Sequence, residues 1–359
     1  MPFVNLHLHT EYSLLDGLTK IKKLVTLLKE QGATACAITD HGNMYGAIEF
    51  YKACKKAEIK PIIGAEMYMC SGSRFDKNSQ NRRNFHLILL AKNTQGYKNL
   101  MKLVSIGQRE GFYYKPRIDW ESLKKYHQGL VCLSACTQGQ VASEILSGDY
   151  DKAKNTASRF QKLFDDDYYL EIQRHQGINE QDIANKGIIK ISRELGIPLV
   201  ATNDCHYLIP TDAFAQDVLM MINTQSTVNT PNRLSMVNTP DFYVKSPKEM
   251  EEQFKDYPEA IENTQKIADK CDLTIELGKW YFPKFKLPND LSAEEVLRQK
   301  VYQGANEIYG SNLSTEIKQR LEYELEIICT KGYAAYFLIM NDFILWCKAN
   351  DTPTNTRGS

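Results

Sequence analysis

Ala35-Cys36-Ala37-Ile38-Thr39-Asp40-His41-Gly42 is a short apolar run that ends on a carboxylate, an imidazole and a glycine. Five small, apolar or β-branched residues in a row are too few for a helix and suit a buried strand. An amphipathic stretch at 47–57 follows, with the apolar spacing of a helix. Strand-like runs of the same kind lie at 3–8, 60–65, 85–91, 130–134, 168–172 and 198–202. Amphipathic segments at 21–31, 97–108, 151–164 and 180–195 fall between them. Seven strands alternating with helices predict a parallel α/β architecture, either a closed barrel or an open doubly wound sheet. The repetition is structural, with no fixed sequence period.

The polar residues are placed at the strand ends. His7 and His9 close the first run, and their i, i+2 spacing turns both side chains to one face. Asp16 follows in the next loop, Asp40-His41 ends the second run, and Glu66 ends the third. Cys136 follows the fifth, and Asp204 with His206 follows the seventh, again at i, i+2. In parallel β/α folds the C-terminal strand ends converge on one face, and that face carries the site. Imidazole, carboxylate and thiolate groups gathered there are a ligand set for zinc, manganese or iron. His86 fits this scheme least, because it opens its strand. His127 sits in a polar stretch and is read as a surface residue, whereas His175, after the sixth run, is a candidate for facing the cleft.

Composition sets the remaining bounds. At 359 residues the chain suits one large domain plus a smaller one, and 43% hydrophobic with 25% charged residues is ordinary for a globular protein. With 44 basic and 44 acidic residues, no net field draws it toward nucleic acid or membrane. DNA contacts would have to come from local clusters such as Arg82-Arg83 or 115–117, which read equally well as solvated loop charges. Nine scattered cysteines without CxxC pairs fit reduced thiols and a cytoplasmic setting. Residues 2–10 lack the apolar run of a signal peptide, and the apolar stretch at 336–347 is shorter than the roughly 20 residues of a membrane span. Residues 211–280 look mainly helical, with a Pro/Asn/Thr-rich loop at 227–240. An extended segment at 280–288 then precedes helices at 293–309, 315–331 and 336–350. The composition break near 276–292 divides the chain into domains at 1–280 and 281–359.

The motifs resemble those of the polymerase and histidinol phosphatase (PHP) family. His7-Leu8-His9-Thr10 with Tyr12-Ser13 and Leu15-Asp16-Gly17 is similar to its first motif. Thr39-Asp40-His41-Gly42-Asn43 is similar to the second, and Thr202-Asn203-Asp204 with His206-Tyr207 to the last. Stretches at 60–66, 111–119, 241–250, 320–326 and 332–343 resemble a narrower group, the bacterial DNA polymerase III alpha subunits. The resemblance implies a distorted (β/α)7-type barrel followed by a smaller, mainly helical segment that begins a polymerase palm. It also implies three divalent ions. His7, His9, Glu66 and Asp204 would hold one, and Glu66 would bridge to a second completed by His86 and Cys136. Asp16, His41 and His206 would hold the third. All nine positions carry competent ligands.

Clustered divalent ions suit phosphoester hydrolysis, since they acidify water from 15.7 towards about 7 and neutralise charge growing on a leaving oxygen. The expected activity is metal-dependent 3′–5′ exonuclease hydrolysis of a DNA end, with Glu66, Asp204 and His41 carrying catalysis. Arg82, Lys115, Arg117 and His175 are the candidate phosphate contacts. Two other readings stay open: metals that only stabilise the barrel beneath a polymerase, and a free-standing phosphatase of a small phosphate ester. Expected partners are DNA, the rest of the alpha subunit and, by resemblance, replisome subunits such as the sliding clamp. Membrane is not an expected partner. The resembled family keeps its palm carboxylates beyond this chain, so no DNA synthesis is expected from these residues alone. The closing Arg357-Gly358-Ser359 aligns with a glycine-rich triphosphate-binding loop, but Thr352-Pro353-Thr354-Asn355-Thr356 is poorer in glycine than that pattern.

Overall fold

The computed structural model describes residues 3–79, 82–231, 233, 235–237, 239–279, 281–283, 287 and 291–355. They fall into two compact units, Met1–Ile275 and Glu276–Ser359. The first contains strands β1 (Ala35–Ile38), β2 (Lys60–Cys70), β3 (Asn84–Ala91), β4 (Arg117–Ile118), β5 (Leu130–Leu133), β6 (Tyr168–Gln173) and β7 (Leu199–Thr202). Its helices are α1 (Ile21–Glu30), α2 (Ala47–Lys56), α3 (Thr94–Arg109), α4 (Trp120–Tyr126), α5 (Gln140–Leu146), α6 (Tyr150–Phe164), α7 (Asn179–Leu195), α8 (Ala213–Thr224), α9 (Pro247–Gln253) and α10 (Pro258–Lys270). Local signals set several helix starts. The Asn93 side chain caps α3, and Asp119 with Ser122 forms a capping box on α4.

The strands form one sheet in the order β1-β2-β3-β5-β6-β7, with β4 paired to β2. This α/β sheet is mixed, which corrects the all-parallel expectation: β3 runs antiparallel to both β2 and β5. The first predicted strand is also not a ladder of its own. Residues 3–10 instead bridge the two sheet edges, Asn5 to Cys36 of β1 and Leu8 to Cys205 beyond β7. The bond from Ala37 N to Asn5 O (2.8 Å) and that from His9 N to Cys205 O (2.8 Å) close the curl into a barrel.

Alternation gives each strand one face toward the interior. On β2 that face carries Ile62, Gly64, Glu66 and Tyr68, and on β6 it carries Tyr169, Glu171 and Gln173. Apolar members fill one end of the interior, where Val4, Leu6, Ala37, Ile62, Ile88, Val131 and Val200 pack with Ile267 of α10. The larger apolar layer lies between the sheet and the surrounding helices and includes Ile21, Leu24, Phe50, Leu100, Phe160 and Ile188. The polar members are left at the opposite end.

The second unit contains α11 (Ala293–Tyr309), α12 (Thr315–Thr330) and α13 (Ala334–Ala349) around Val296, Leu297, Leu325, Ala334 and Leu338. The apolar stretch at 336–347 lies in α13, and among the described residues no helix is long and apolar enough to cross a membrane. Of the expected extended segment at 280–288 only 281–283 and 287 are described, and these lie in neither helix nor strand. Arg357-Gly358-Ser359 lies outside the described residues.

Candidate metal centre

Antiparallel β3 explains the misfit of His86. A strand running against its neighbours presents its first residues, not its last, at the end where the others finish. His86 therefore lies opposite Tyr68 at the polar end of the barrel. Glu66 differs from expectation in another way. It sits within β2, which continues to Cys70, and it bridges to His41 at the end of the second predicted strand.

The nine candidate ligands converge. Glu66 Oε1 lies 3.4 Å from His7 Nε2 and 2.8 Å from His86 Nδ1. Its other oxygen lies 3.5 Å from His9 Nε2 and 2.7 Å from His41 Nδ1. Asp204 Oδ1 faces His7 Nε2 at 3.1 Å and His9 Nε2 at 3.2 Å, with His206 Nδ1 at 3.7 Å. Asp16 Oδ2 meets His41 Nε2 at 2.8 Å, and Cys136 Sγ lies 3.8 Å from His86 Nδ1. Three subsets have ligand atoms within 4.8 Å of one another: His7, His9 and Glu66; His41, Glu66 and His86; and His9, His41 and His206.

Sharp turns aim several of these groups. Leu15, Gly42, Ala135 and Asp204 all have left-handed backbones, at φ 61°, 59°, 64° and 47°. They precede Asp16, follow His41, precede Cys136 and carry the Asp204 carboxylate itself. Only glycine adopts this region without cost, so three strained non-glycine residues mark a site held in shape by its surroundings.

The donor set fits cations. His7 Nε2, His9 Nε2, His41 Nδ1, both Glu66 oxygens and Asp204 Oδ1 are buried and make no hydrogen bond of good geometry, despite their short contacts with one another. Buried polar atoms are ordinarily paired, and here six unsatisfied ones face one space. Charge agrees with this. Burial alone would depress His7, but Asp204, Glu171 and Glu66 raise its pKa well above 6.5. Burial likewise opposes His41, yet Glu66 and Asp16 raise it to about 10. His9 is pushed down to about 3 by burial and by His41 and His206. Burial works to raise Glu66, but His86, His41 and His7 hold it well below the usual carboxylate range. Asp204 is also held low, since His7 and His206 outweigh its burial. Burial and the carboxylates Asp204 and Glu66 lift Cys136 well above 9, so its thiolate needs a cation to exist at neutral pH.

The substrate candidates separate. Lys115 is exposed, with its ammonium 5.4 Å from the Tyr68 ring, which itself stacks at 5.9 Å on His41. Arg82 is exposed and stacks over Tyr114 at 4.6 Å. His175 is buried against Phe242, ring centroids 4.1 Å apart, and neither of its nitrogens has a partner. Burial lowers its pKa to about 4. Arg117 must be withdrawn from the phosphate contacts. It is fully buried, and its guanidinium donates to the carbonyls of Gly111, Arg74 and Asp76 at 2.9, 3.2 and 3.4 Å. His127 ends α4 with Nδ1 2.8 Å from Lys124 O, away from the centre.

Sequence reasoning missed Glu171. Its Oε1 lies 2.7 Å from His7 Nδ1, on the side of the ring away from Glu66 and Asp204. A charged residue between Leu170 and Ile172 in an apolar strand, in step with Gln173, was the available signal.

A PHP domain model matches residues 5–175, and a bacterial DNA polymerase III alpha NTPase domain model matches residues 295–359. Asp204 and His206 lie beyond the first match. The DNA polymerase III subunit alpha of Borreliella burgdorferi is 48% identical over 99% of this chain and 31% of its own length. That of Treponema pallidum is 43% identical over 100% of this chain and 31% of its length, and that of Aquifex aeolicus 42% over 99% and 32%. The chain thus spans about a third of the length of the curated relatives it matches.

Proposed function

This chain belongs to the PHP-domain family in its bacterial DNA polymerase III alpha form, and from that premise we propose that its barrel is a metal-dependent 3′–5′ exonuclease of DNA. The observation that carries the reading is the set of six buried, unsatisfied ligand atoms facing one space. His7, His9, Glu66 and Asp204 would hold one divalent ion, Glu66, His86 and Cys136 a second, and Asp16, His41 and His206 a third. Zinc, manganese or iron there would supply a nucleophile from water at neutral pH and offset charge on the transferring phosphate.

The chain's own groups do the rest. Glu66 would be shared by two of the proposed ion sites, and with Asp204 and His41 it would form the catalytic core. His175, neutral at pH 7, offers one N–H donor and one acceptor to a phosphate or departing ribose oxygen. Lys115 and Arg82 lie on loops suited to steering the strand. These residues alone are expected to make no DNA. The rest of an alpha subunit and replisome subunits such as the sliding clamp are the proposed partners, in the cytoplasm.

The test is a 3′-labelled single strand incubated with purified chain and manganese or zinc, with elemental analysis alongside. Nucleotide release should be metal-dependent and absent in Glu66→Ala; equal release by that variant sinks the proposal. One observation favours a second reading, in which the ions only brace the fold. His7 and His9 lie on the segment that closes the barrel. Chelation that lowers the melting temperature of a fully loaded chain releasing no nucleotide would decide for that reading.

A further inference from the structure

We propose that two buried carboxylates behind the centre, Glu171 directly and Asp40 through Ser13, act as positioning residues. They lock the His7 and His9 rings with Nδ1 protonated and Nε2 turned to the ions. The inference rests on the ions binding where proposed above.

Glu171 is fully enclosed, at 1% exposure. Its Oε1 accepts from Gln173 Nε2 at 2.7 Å and from the Thr202 hydroxyl, and lies 2.7 Å from His7 Nδ1. The Glu171 amide donates to Ser134 Oγ at 2.8 Å, which ties the strand to β5. A bare Nδ1 would set its lone pair against a carboxylate oxygen. The proton therefore sits on Nδ1, and Nε2 is the atom left facing Glu66 and Asp204.

His9 reaches the same state by a different route. Ser13 donates its single hydroxyl proton to Asp40 Oδ1 at 2.7 Å. Thr10 donates to the same carboxylate from its amide at 2.6 Å and its hydroxyl at 2.8 Å. Having given its proton to Asp40, the Ser13 oxygen can only accept, from the His41 amide at 3.2 Å and from His9 Nδ1 at 3.1 Å. His9 Nδ1 must then carry a proton, and Nε2 again points inward. A strand pair at i, i+2 does not fix ring rotation or tautomer by itself. The two carboxylates supply both, as partners behind metal-ligating histidines do in general.

Direct and relayed contacts make an ordered prediction. Zinc affinity is measured by competition with a chromophoric chelator on the whole chain. Glu171→Gln, which keeps shape and loses charge, should weaken the tightest site by roughly 10–100-fold, and Ser13→Ala by roughly tenfold or less. Nitrogen NMR of the zinc-loaded chain should show His7 and His9 as Nδ1–H tautomers, with the His7 signal changed in Glu171→Gln. Melting of the chelated chain runs in parallel and shows whether either variant has merely lost its fold. If Glu171→Gln does not fold, Thr202→Val, which strips one donor from Glu171, takes its place with an expected loss of about threefold or more. A folded Glu171→Gln with zinc affinity within twofold of the parent, or an Nε2–H signal for His7, overturns the positioning role. A parent chain that takes up no zinc overturns the metal reading instead.

Discussion

Loading the chelated chain with zinc at pH 7.5 should expel about three protons per molecule, because ligands must shed protons to bind. His7 and His41 are both held protonated there, the first well above 6.5 and the second at about 10. Cys136, pushed well above 9, is a thiol. His9 at about 3, and Glu66 and Asp204 held low, are already bare and release nothing. Each displaced proton makes loading about 1.36 kcal/mol more favourable per pH unit. Three give roughly 4 kcal/mol, close to a thousandfold in the product of the affinities between pH 7 and pH 8. Titration calorimetry in buffers of different ionisation enthalpy reads the proton number directly. Cys136→Ser should lower it by about one, since the hydroxyl keeps its proton. A release below one proton for the parent chain would refute the charge assignment made for the centre.

The chelated chain should also show a pH-dependent melting temperature of definite sign. His41, raised to about 10, contributes stability that is complete below the unfolded value near 6.5 and is lost as pH climbs toward 10. The lowered Glu66 and Asp204 contribute above about pH 4.5 and fade on acidification, and His9 refuses the proton that the unfolded chain accepts below 6.5. Thermal melts should therefore peak near about pH 6.5, and a maximum near pH 9 would contradict this. Arg117→Ala should cost about 2–4 kcal/mol in urea unfolding by orphaning buried carbonyls, while the KM for DNA stays unchanged. Gly17→Ala would put a methyl 2.1 Å from the Thr10 carbonyl, and a loss of about 2–4 kcal/mol in the same assay is expected. His175→Ala should raise the KM for DNA by roughly tenfold or more, the worth of one hydrogen bond to a charged group, with zinc content unchanged.

Much of this was legible because burial and chemistry conflict in the right places. An apolar run ending in Asp40-His41, or Asp204 one turn after Leu199–Thr202, marks a strand end that has something other than packing to do. Six of the predicted strands recur as β1, β2, β3, β5, β6 and β7, five with small shifts at their ends and β2 running on to Cys70. Strand direction was not legible, since alternation reads the same both ways, and so β3 was taken as parallel. The continuation of β2 past Glu66 was hidden because a charge ordinarily ends a buried strand; here the barrel interior receives it. Arg117 looked like a surface cation in a run with Lys115, and only the carbonyls of Gly111, Arg74 and Asp76 reveal its internal use. Glu171 was passed over for the opposite reason, a carboxylate inside the run Tyr-Tyr-Leu-Glu-Ile-Gln, where alternation with Gln173 was the one signal of it.

The stave at residues 3–10 has a consequence for how the protein is made. Asn5 bonds to Cys205, 200 positions further along the chain. At about 5–20 residues per second on a ribosome, His7 and His9 would wait roughly 10–40 s for the partners that seat them. The earliest part of the barrel to be synthesised is among the last to be placed. During that interval two imidazoles are free to capture stray metal, and the seam between Leu8 and Cys205 becomes the step at which a newborn chain either closes correctly or is handed to quality control.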